Sequence, residues 1–267
     1  MCGIVGGRGA AVVDCIGQMV NLMAHRGPDH SAHWSSEDIA LGHARLSIID
    51  TGSSSNQPFG DETGRYSLVY NSEIYNYPSI KKRLVSEGAN FRSSGDTEVL
   101  LQALIQFGTN ILPELEGIFA FCLFDKSDGS LLLARDKFGV KPLYYYADDT
   151  QFMFASEYKS FLANPDFIAD VNFDTLFRTL LFMYNPGNET AFAHVNKVPA
   201  GCYILHKANC GVVEINSYWD WPKYDPVKNH SHVEDIQKHL KTAVQRQMVS
   251  DVPVGAFLSG GVDSSVI

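Results

Sequence analysis

Cysteine is sparse in this 267-residue chain, and what there is does not pair. Cys2, Cys15, Cys122, Cys202 and Cys210 are odd in number and widely scattered, and no Cys-x-x-Cys spacing occurs. That pattern indicates neither a zinc site nor a disulfide framework and suits a reducing cytoplasm. Long apolar runs are also missing. The most apolar stretch, Leu176 to Tyr184, contains Arg178 and is far too short to span a bilayer. Basic residues are outnumbered, with 21 Lys and Arg against 30 Asp and Glu and a net charge of -9. Such a balance argues against a nucleic-acid-binding surface, which needs clustered Lys and Arg. The N-terminus lacks the basic region and cleavage site of a secretory signal, and no internal repeat is visible. His230 and His232 alternate, but within a polar stretch that reads as solvated linker rather than a metal site.

What is present is 45% hydrophobic residues, enough for a large core in one or two domains. The first half reads as short strands between turns: Gly3 to Gly6, a longer apolar stretch from Ile39 to Ile49, and an alternating run from Tyr66 to Tyr70. Phe119–Phe124 and Leu131–Ala134 flank Asp125-Lys126-Ser127-Asp128-Gly129, a hairpin turn by composition. Helical spacing places Val99, Leu100, Ala103 and Leu104 on one stripe of a helix from Glu98 to Phe107. A second hairpin is expected from Cys202–Leu205 and Val212–Ile215, turning through Asn209-Cys210-Gly211. Many strands with a few helices point to an α+β fold.

A boundary follows Trp219-Asp220-Trp221-Pro222. Ser231-His232-Val233-Glu234 offers a capping box, and Ile236, Leu240, Val244 and Met248 share one helical face. Val252 to Leu258 reads as a buried strand running into Ser259-Gly260-Gly261-Val262-Asp263-Ser264. There, two glycines would let backbone N–H groups approach a phosphate at a helix start. A strand, a Gly-rich turn and one turn of helix make half of a βαβ unit, so the sequence reads as part of a longer protein.

Cys2 follows the initiator Met1. With Met1 removed, one residue would carry both a thiol nucleophile and an α-amine, whose pKa of about 7.7–8.0 suits a general base near neutrality.

Met1-Cys2-Gly3-Ile4-Val5-Gly6 resembles the start of class II, N-terminal-nucleophile glutamine amidotransferases. His25-Arg26-Gly27-Pro28-Asp29, Arg45-Leu46-Ser47-Ile48-Ile49-Asp50 and Ser94-Gly95-Asp96-Thr97-Glu98 are similar to successive motifs of asparagine synthetase B. So are Ala134-Arg135-Asp136 with Gly139-Val140-Lys141-Pro142-Leu143-Tyr144-Tyr145, Phe154-Ala155-Ser156-Glu157, and Ser259 to Ser264. The motifs run in order over nearly the whole chain.

The resemblance implies a four-layer αββα sandwich over residues 1–220, a linker over 221–230, and from 231 to 267 the beginning of an ATP-binding α/β domain. It implies that Cys2 attacks glutamine and releases ammonia. Arg45 would hold the substrate α-carboxylate and Asp96 the α-ammonium, with Glu73 adding a polar contact and the backbone of Leu46, Ser47, Ile48 and Ile49 lining the pocket. Asn71 and the N–H of the next residue would form the oxyanion hole. That next residue is Ser72, where the family pattern has Gly. If the site requires positive φ, Ser72 costs on the order of 1–2 kcal/mol in strain and weakens the hole; if φ is negative, Ser is nearly harmless.

Leu258, Ser259, Gly260, Gly261, Asp263 and Ser264 would bind ATP, with Mg, in the full-length enzyme. There ammonia would amidate aspartate or another carboxylate, such as a sugar acid or a peptide. The glutaminase step needs no cofactor, and the stretch in hand would perform that step alone. A catalytically weakened platform domain is the rival that Ser72 favours. The resemblance also suggests a homodimer, with no nucleic acid and no membrane among the partners.

Overall fold

The computed structural model describes residues 1–207, 213–223 and 233–267. Twelve strands form two six-stranded antiparallel sheets. The first contains β1 (Gly3–Arg8), β2 (His30–Ser36), β3 (Ile39–Arg45), β8 (Tyr144–Ala147), β9 (Phe152–Ala155) and β10 (Val195–Lys197), in the order β10-β8-β9-β1-β3-β2. The second contains β4 (Phe59–Gly60), β5 (Tyr66–Ile74), β6 (Gly117–Asp125), β7 (Ser130–Arg135), β11 (Cys202–His206) and β12 (Ile215–Ser217), in the order β12-β11-β7-β6-β5-β4. The α-helices are α1 (Ala10–Asn21), α2 (Tyr77–Ser86), α3 (Asp96–Phe107), α4 (Phe173–Phe182), α5 (Val233–Gln247) and α6 (Val262–Val266).

Strand alternation builds the layers. Ile4, Ile39 and Leu41 from the first sheet meet Val69, Ala120, Cys122, Leu131 and Leu133 from the second, forming the core between the sheets. The intervening residues Val5, Ala40, Ala44, Met153 and Ala155 face outward, against Val12, Ile16, Met19 and Val20 of α1. On the far side, Leu68, Tyr70, Phe119 and Phe121 pack against Ile80 and Leu84 of α2 and Val99, Leu100, Ala103 and Leu104 of α3. Helix, sheet, sheet and helix are thus stacked in the expected αββα order.

The β6–β7 hairpin forms as read, with Gly129 at φ 70 closing the turn. The later hairpin pairs β11 with β12 at Ile215–Ser217, slightly beyond the expected Val212–Ile215; its turn at 209–211 lies outside the described residues. So do most of the expected linker and Ser231 and His232 of the expected capping box. One reading is corrected. Val252–Leu258 forms no strand, and Phe257 and Leu258 are exposed. A strand needs a neighbour for its N–H and C=O groups, and no described strand lies beside this segment.

β1 lies inside its sheet, between β3 and β9. At Gly6 an added Cβ would sit 2.4 Å from the Ala40 carbonyl oxygen and 3.0 Å from Phe154 Cζ. The backbone oxygen cannot yield without disturbing the ladder. Gly6→Ala is therefore expected to destabilise the fold by about 1–3 kcal/mol, the usual cost of overpacking. The measurement is the urea midpoint at unchanged m-value; a wild-type midpoint would show that the strands part freely there.

Candidate active site

Three strands and one helix start converge at the open edge of the space between the sheets. β1 places Cys2 there, pinned by Gly3 pairing with Ala44. β3 ends at Arg45 and β5 passes with Asn71, Ser72 and Glu73, while the first residue of α3 supplies Asp96. The resulting cleft holds about 560 Å³ of empty space, partly open to solvent. It is lined by Met1, Cys2, Arg45, Leu46, Ile48, Ile49, Ser55, Gln57, Tyr70, Asn71, Ser72, Glu73, Asp96, Thr97 and Lys141.

Cys2 Sγ lies 3.4 Å from the Leu46 N–H nitrogen, which donates to it, and 3.5 Å from the Leu46 carbonyl oxygen. Burial pushes the thiol pKa up; the Leu46 N–H, the α-amine, Lys141 and Arg45 pull it back. The α-amine is lowered from its ordinary value, chiefly by burial. It belongs to Met1 in the chain as numbered and sits in the same cleft.

Arg45 is almost fully buried. Its guanidinium donates to the Gly52 carbonyl and Asn56 Oδ1, each at 2.7 Å, and to the Asp50 carbonyl. These bonds fix the fork and leave two of its five N–H groups for a ligand. Asp96 Oδ2 accepts from Tyr70 Oη at 2.7 Å and from the Ile74 N–H at 3.1 Å. Glu73 is raised from its ordinary value by burial, against the opposing charge of Lys141.

Asn71 is fully buried, and neither its side-chain nitrogen nor its oxygen has a partner among the described residues. A buried amide with all its hydrogen-bonding capacity open is costly unless something fills it. Ser72 pairs with Phe119 on β6. Phe119, however, spends its own N–H on Asp136 Oδ2 and its carbonyl on the Asp136 N–H, on the side away from β5. Ser72 and Phe119 therefore form a non-hydrogen-bonded pair, and the Ser72 N–H points off the free edge of β5. On that edge the neighbouring N–H groups are taken, Tyr70 by Gln57 Oε1 and Ile74 by Asp96; Ser72 alone is open. Its φ is not positive, so a Cβ there carries no left-handed strain.

The structure thus gathers Cys2, Arg45, Leu46, Ile48, Ile49, Asn71, Ser72, Glu73 and Asp96. It leaves out Ser47, whose N–H donates instead to Asp29 Oδ2 at 2.7 Å. Leu258 to Ser264 lie outside this cleft. Lys141, Tyr70, Gln57, Ser55 and Thr97 were missed as cleft residues. Two of them carried a signal, Lys141 in the Gly-Val-Lys-Pro run and Thr97 in the Ser-Gly-Asp-Thr-Glu run. A further contact arrives from beyond α5: Asp251 Oδ2 accepts from the Asp50 N–H at 2.7 Å, and the Asp251 N–H donates to the Ile48 carbonyl at 3.0 Å.

Cys2 thus shares one cleft with the open Asn71 amide, the cations Arg45 and Lys141 and the carboxylates Glu73 and Asp96. Residues 1–219 match the glutamine amidotransferase domain and residues 235–267 the asparagine synthase family. The chain belongs to the class II glutamine amidotransferase family and is related to asparagine synthetase.

Among its relatives, the glutamine-hydrolysing asparagine synthetase 1 of Bacillus subtilis is 36% identical over 100% of this chain and 43% of its own length. A putative asparagine synthetase of Methanocaldococcus jannaschii is 35% identical over 100% of this chain and 56% of its own. An amidase, chry2, of Gibberella zeae is 35% identical over 99% and 40%. The chain therefore spans about half the length of these relatives. The glutamine phosphoribosylpyrophosphate amidotransferase of B. subtilis shares the fold, with a TM-score of 0.62 at 18% identity over 82% of this chain and 49% of its own.

Burial raises Asp96 from 3.8 to about 6, against the pull of its hydrogen bonds. The native state then binds this proton more tightly than the unfolded state, so stability falls as pH rises from about 4 to about 6, by roughly 3 kcal/mol, and is flat on either side. Asp96→Asn removes this loss. Its stability relative to wild type should climb through that window, as read by urea unfolding at several pH values. A difference independent of pH would show that Asp96 titrates normally.

Proposed function

We propose that this chain hydrolyses glutamine to glutamate and ammonia with Cys2 as nucleophile. The observation that carries this is the open pair of donors, the Asn71 amide and the Ser72 N–H, on the strand facing a cysteine at the chain start. Arg45 offers two N–H groups to the α-carboxylate; Asp96 and Glu73 receive the α-ammonium.

Removal of Met1 gives Cys2 its own α-amine. That amine takes the thiol proton as sulfur bonds to the amide carbon and the carbonyl electron pair moves to oxygen. Asn71 and Ser72 hold the oxyanion. Collapse breaks the C–N bond, and the ammonium returns its proton to the departing nitrogen, releasing ammonia. Water then adds to the thioester in the same way. The thiol leaves with its proton restored, and glutamate is formed.

In the longer protein, the reading assigns residues 1–220 to this step and 231–267 to the start of an ATP-dependent amidating domain. Gly260 has open space around its Cα and a φ of 78, and Ser259 Oγ and Ser264 Oγ lie 3.0 Å apart. These residues, with Gly261 and Asp263, fit a phosphate group, and bound ATP would supply the activation of a carboxylate. Among the described residues no group of three His, Cys, Asp or Glu gathers to hold a metal ion, so the Mg ligands are not assigned. The carboxylate is aspartate in this reading. Relatives of similar identity bear the names asparagine synthetase and amidase, which keeps a different acceptor as the second reading.

Ammonia release from glutamine by the purified chain is the primary test. Activity should disappear in Cys2→Ala, and the active species should lack Met1 by mass spectrometry. Full turnover in chains that retain Met1 would exclude the α-amine of Cys2 as base. A finer test separates the two oxyanion donors from backbone strain. Asn71→Ala should lower kcat by about a hundredfold to a thousandfold, whereas Ser72→Gly should leave it within about twofold, because the strand conformation stores no strain to release. A large gain in Ser72→Gly would show that the Ser hampers the site.

A further inference from the structure

Two of the sequence motifs, Ala134-Arg135-Asp136 and Gly139-Val140-Lys141-Pro142, contribute no group to the steps above, yet a dense buried network serves them. Asp136, fully buried, accepts from the N–H groups of Phe119, Phe138, Val140 and Lys141 at 3.2, 3.1, 2.9 and 2.9 Å. Arg135 donates to the carbonyls of Gly139, Lys141 and Val198 at 2.7, 2.8 and 2.7 Å. Both the N–H and the C=O of Lys141 are therefore clamped, and Gly139 at φ 64 supplies the turn that leads to it. What this scaffold presents is the Lys141 side chain, which enters the cleft holding Cys2.

Lys141 is 6% exposed, and its ammonium makes no hydrogen bond or ion pair among the described residues. The neighbouring arginines are held by other groups. Arg26 pairs with Glu157 at 3.0 Å and donates to the Cys2 carbonyl at 2.9 Å, and Arg45 is tied to the Asp50–Asn56 loop. Within this cleft negative charge on Glu73, and next on Cys2, favours the ammonium form of Lys141, and of the two Cys2 is the group whose charge the reaction develops.

We propose that Lys141 is a positioning residue for hydrolysis, the uncommitted cation that stabilises negative charge on Cys2 Sγ. It makes and breaks no bond; it acts through the sulfur. The proposal rests on Cys2 being the nucleophile of the glutaminase reading. The other charged groups of the cleft are the α-amine, Arg45, Glu73 and Asp96, and Arg26 lies against the Cys2 carbonyl. Lys141 pulls the Cys2 thiol pKa down and that of the α-amine down with it, while Glu73 opposes the loss of the Lys141 proton that burial favours.

The test is the rate of Cys2 alkylation by iodoacetamide against pH, followed by the mass of the N-terminal peptide, in wild type, Lys141→Met and Lys141→Arg. The Met variant should move the profile up by about one pH unit and lower kcat for glutamine about tenfold, with KM within about twofold. The Arg variant keeps the charge and should restore both. Superimposable profiles for wild type and Lys141→Met overturn the proposal, as does an Arg variant shifted as far as the Met variant. Iodoacetamide supplies its own electrophile. A wild-type chain that alkylates with the Lys141 dependence yet releases no ammonia would therefore overturn the glutaminase reading and leave only the charge coupling of Lys141 to Cys2 standing.

Discussion

The site depends on holding the start of a polypeptide still. Chain termini fray unless tied down, and a nucleophile at the second residue would ordinarily wander. Here the first strand is threaded into the middle of a six-stranded sheet, with β3 on one side and β9 on the other. Such a tight fit needs strands without side chains in the way. An added Cβ at Gly6 would meet the Ala40 carbonyl oxygen, and one at Gly7 would lie 2.0 Å from that of Phe152. The Gly-rich opening of the sequence is thus a packing requirement before it is a catalytic one. The same ladder sets Cys2 beside Leu46, because Gly3 must face Ala44.

Charge then selects what enters. The cleft combines cations at Arg45 and Lys141 with carboxylates at Glu73 and Asp96. No two of them form a direct ion pair among the described residues. Each is held instead by neutral donors and acceptors or left open. Arg45 is oriented by carbonyl-type oxygens, and Asp96 by a phenol and a backbone N–H. Polar groups fixed in this way keep their charge available for a ligand, whereas mutual salt bridges would have spent it. In the proposed function, a zwitterionic amino acid would bring an opposite charge to both the cations and the carboxylates, and its binding would offset the burial cost of the empty site.

Much of this was legible because local patterns and the fold agree. The β6–β7 hairpin followed from composition, α3 from its apolar stripe, and the two-sheet architecture from the family motifs. What was not legible has separate physical causes. The apolar stretch Ile39–Ile49 reads as one element, but the strand stops at Arg45, and the next residues leave the ladder to wall the cleft. Hydrophobicity cannot distinguish a buried strand from a buried loop. Val252–Leu258 has a strand's composition and no neighbouring strand, and pairing partners are a property of the whole fold. Whether Ser72 is strained depended on its pairing register. Only the diversion of the Phe119 N–H and carbonyl to Asp136 shows which way the Ser72 N–H points. Lys141 was hidden for a related reason: a lysine in a motif looks like surface charge until its burial is known.

The cleft wall is also held from outside the glutamine-facing domain. Asp50 adopts φ 48, a left-handed conformation that a non-glycine residue takes up only under constraint. Its carboxylate is gripped by Ser54, Ser55 and the Ser94 N–H, and its carbonyl accepts from Arg45. The remaining restraint comes from Asp251, which bonds the Asp50 N–H and the Ile48 carbonyl. Asp251 belongs to the segment that matches the asparagine synthase family and precedes Ser259 by a short extended stretch. The residue whose carbonyl helps to orient Arg45 is therefore braced on one side by its own domain and on the other by the sequence leading to Ser259. Both of these Asp251 bonds fall on the Ile48–Asp50 wall and neither on Cys2, whose place is set by the pairing of β1 in the first sheet.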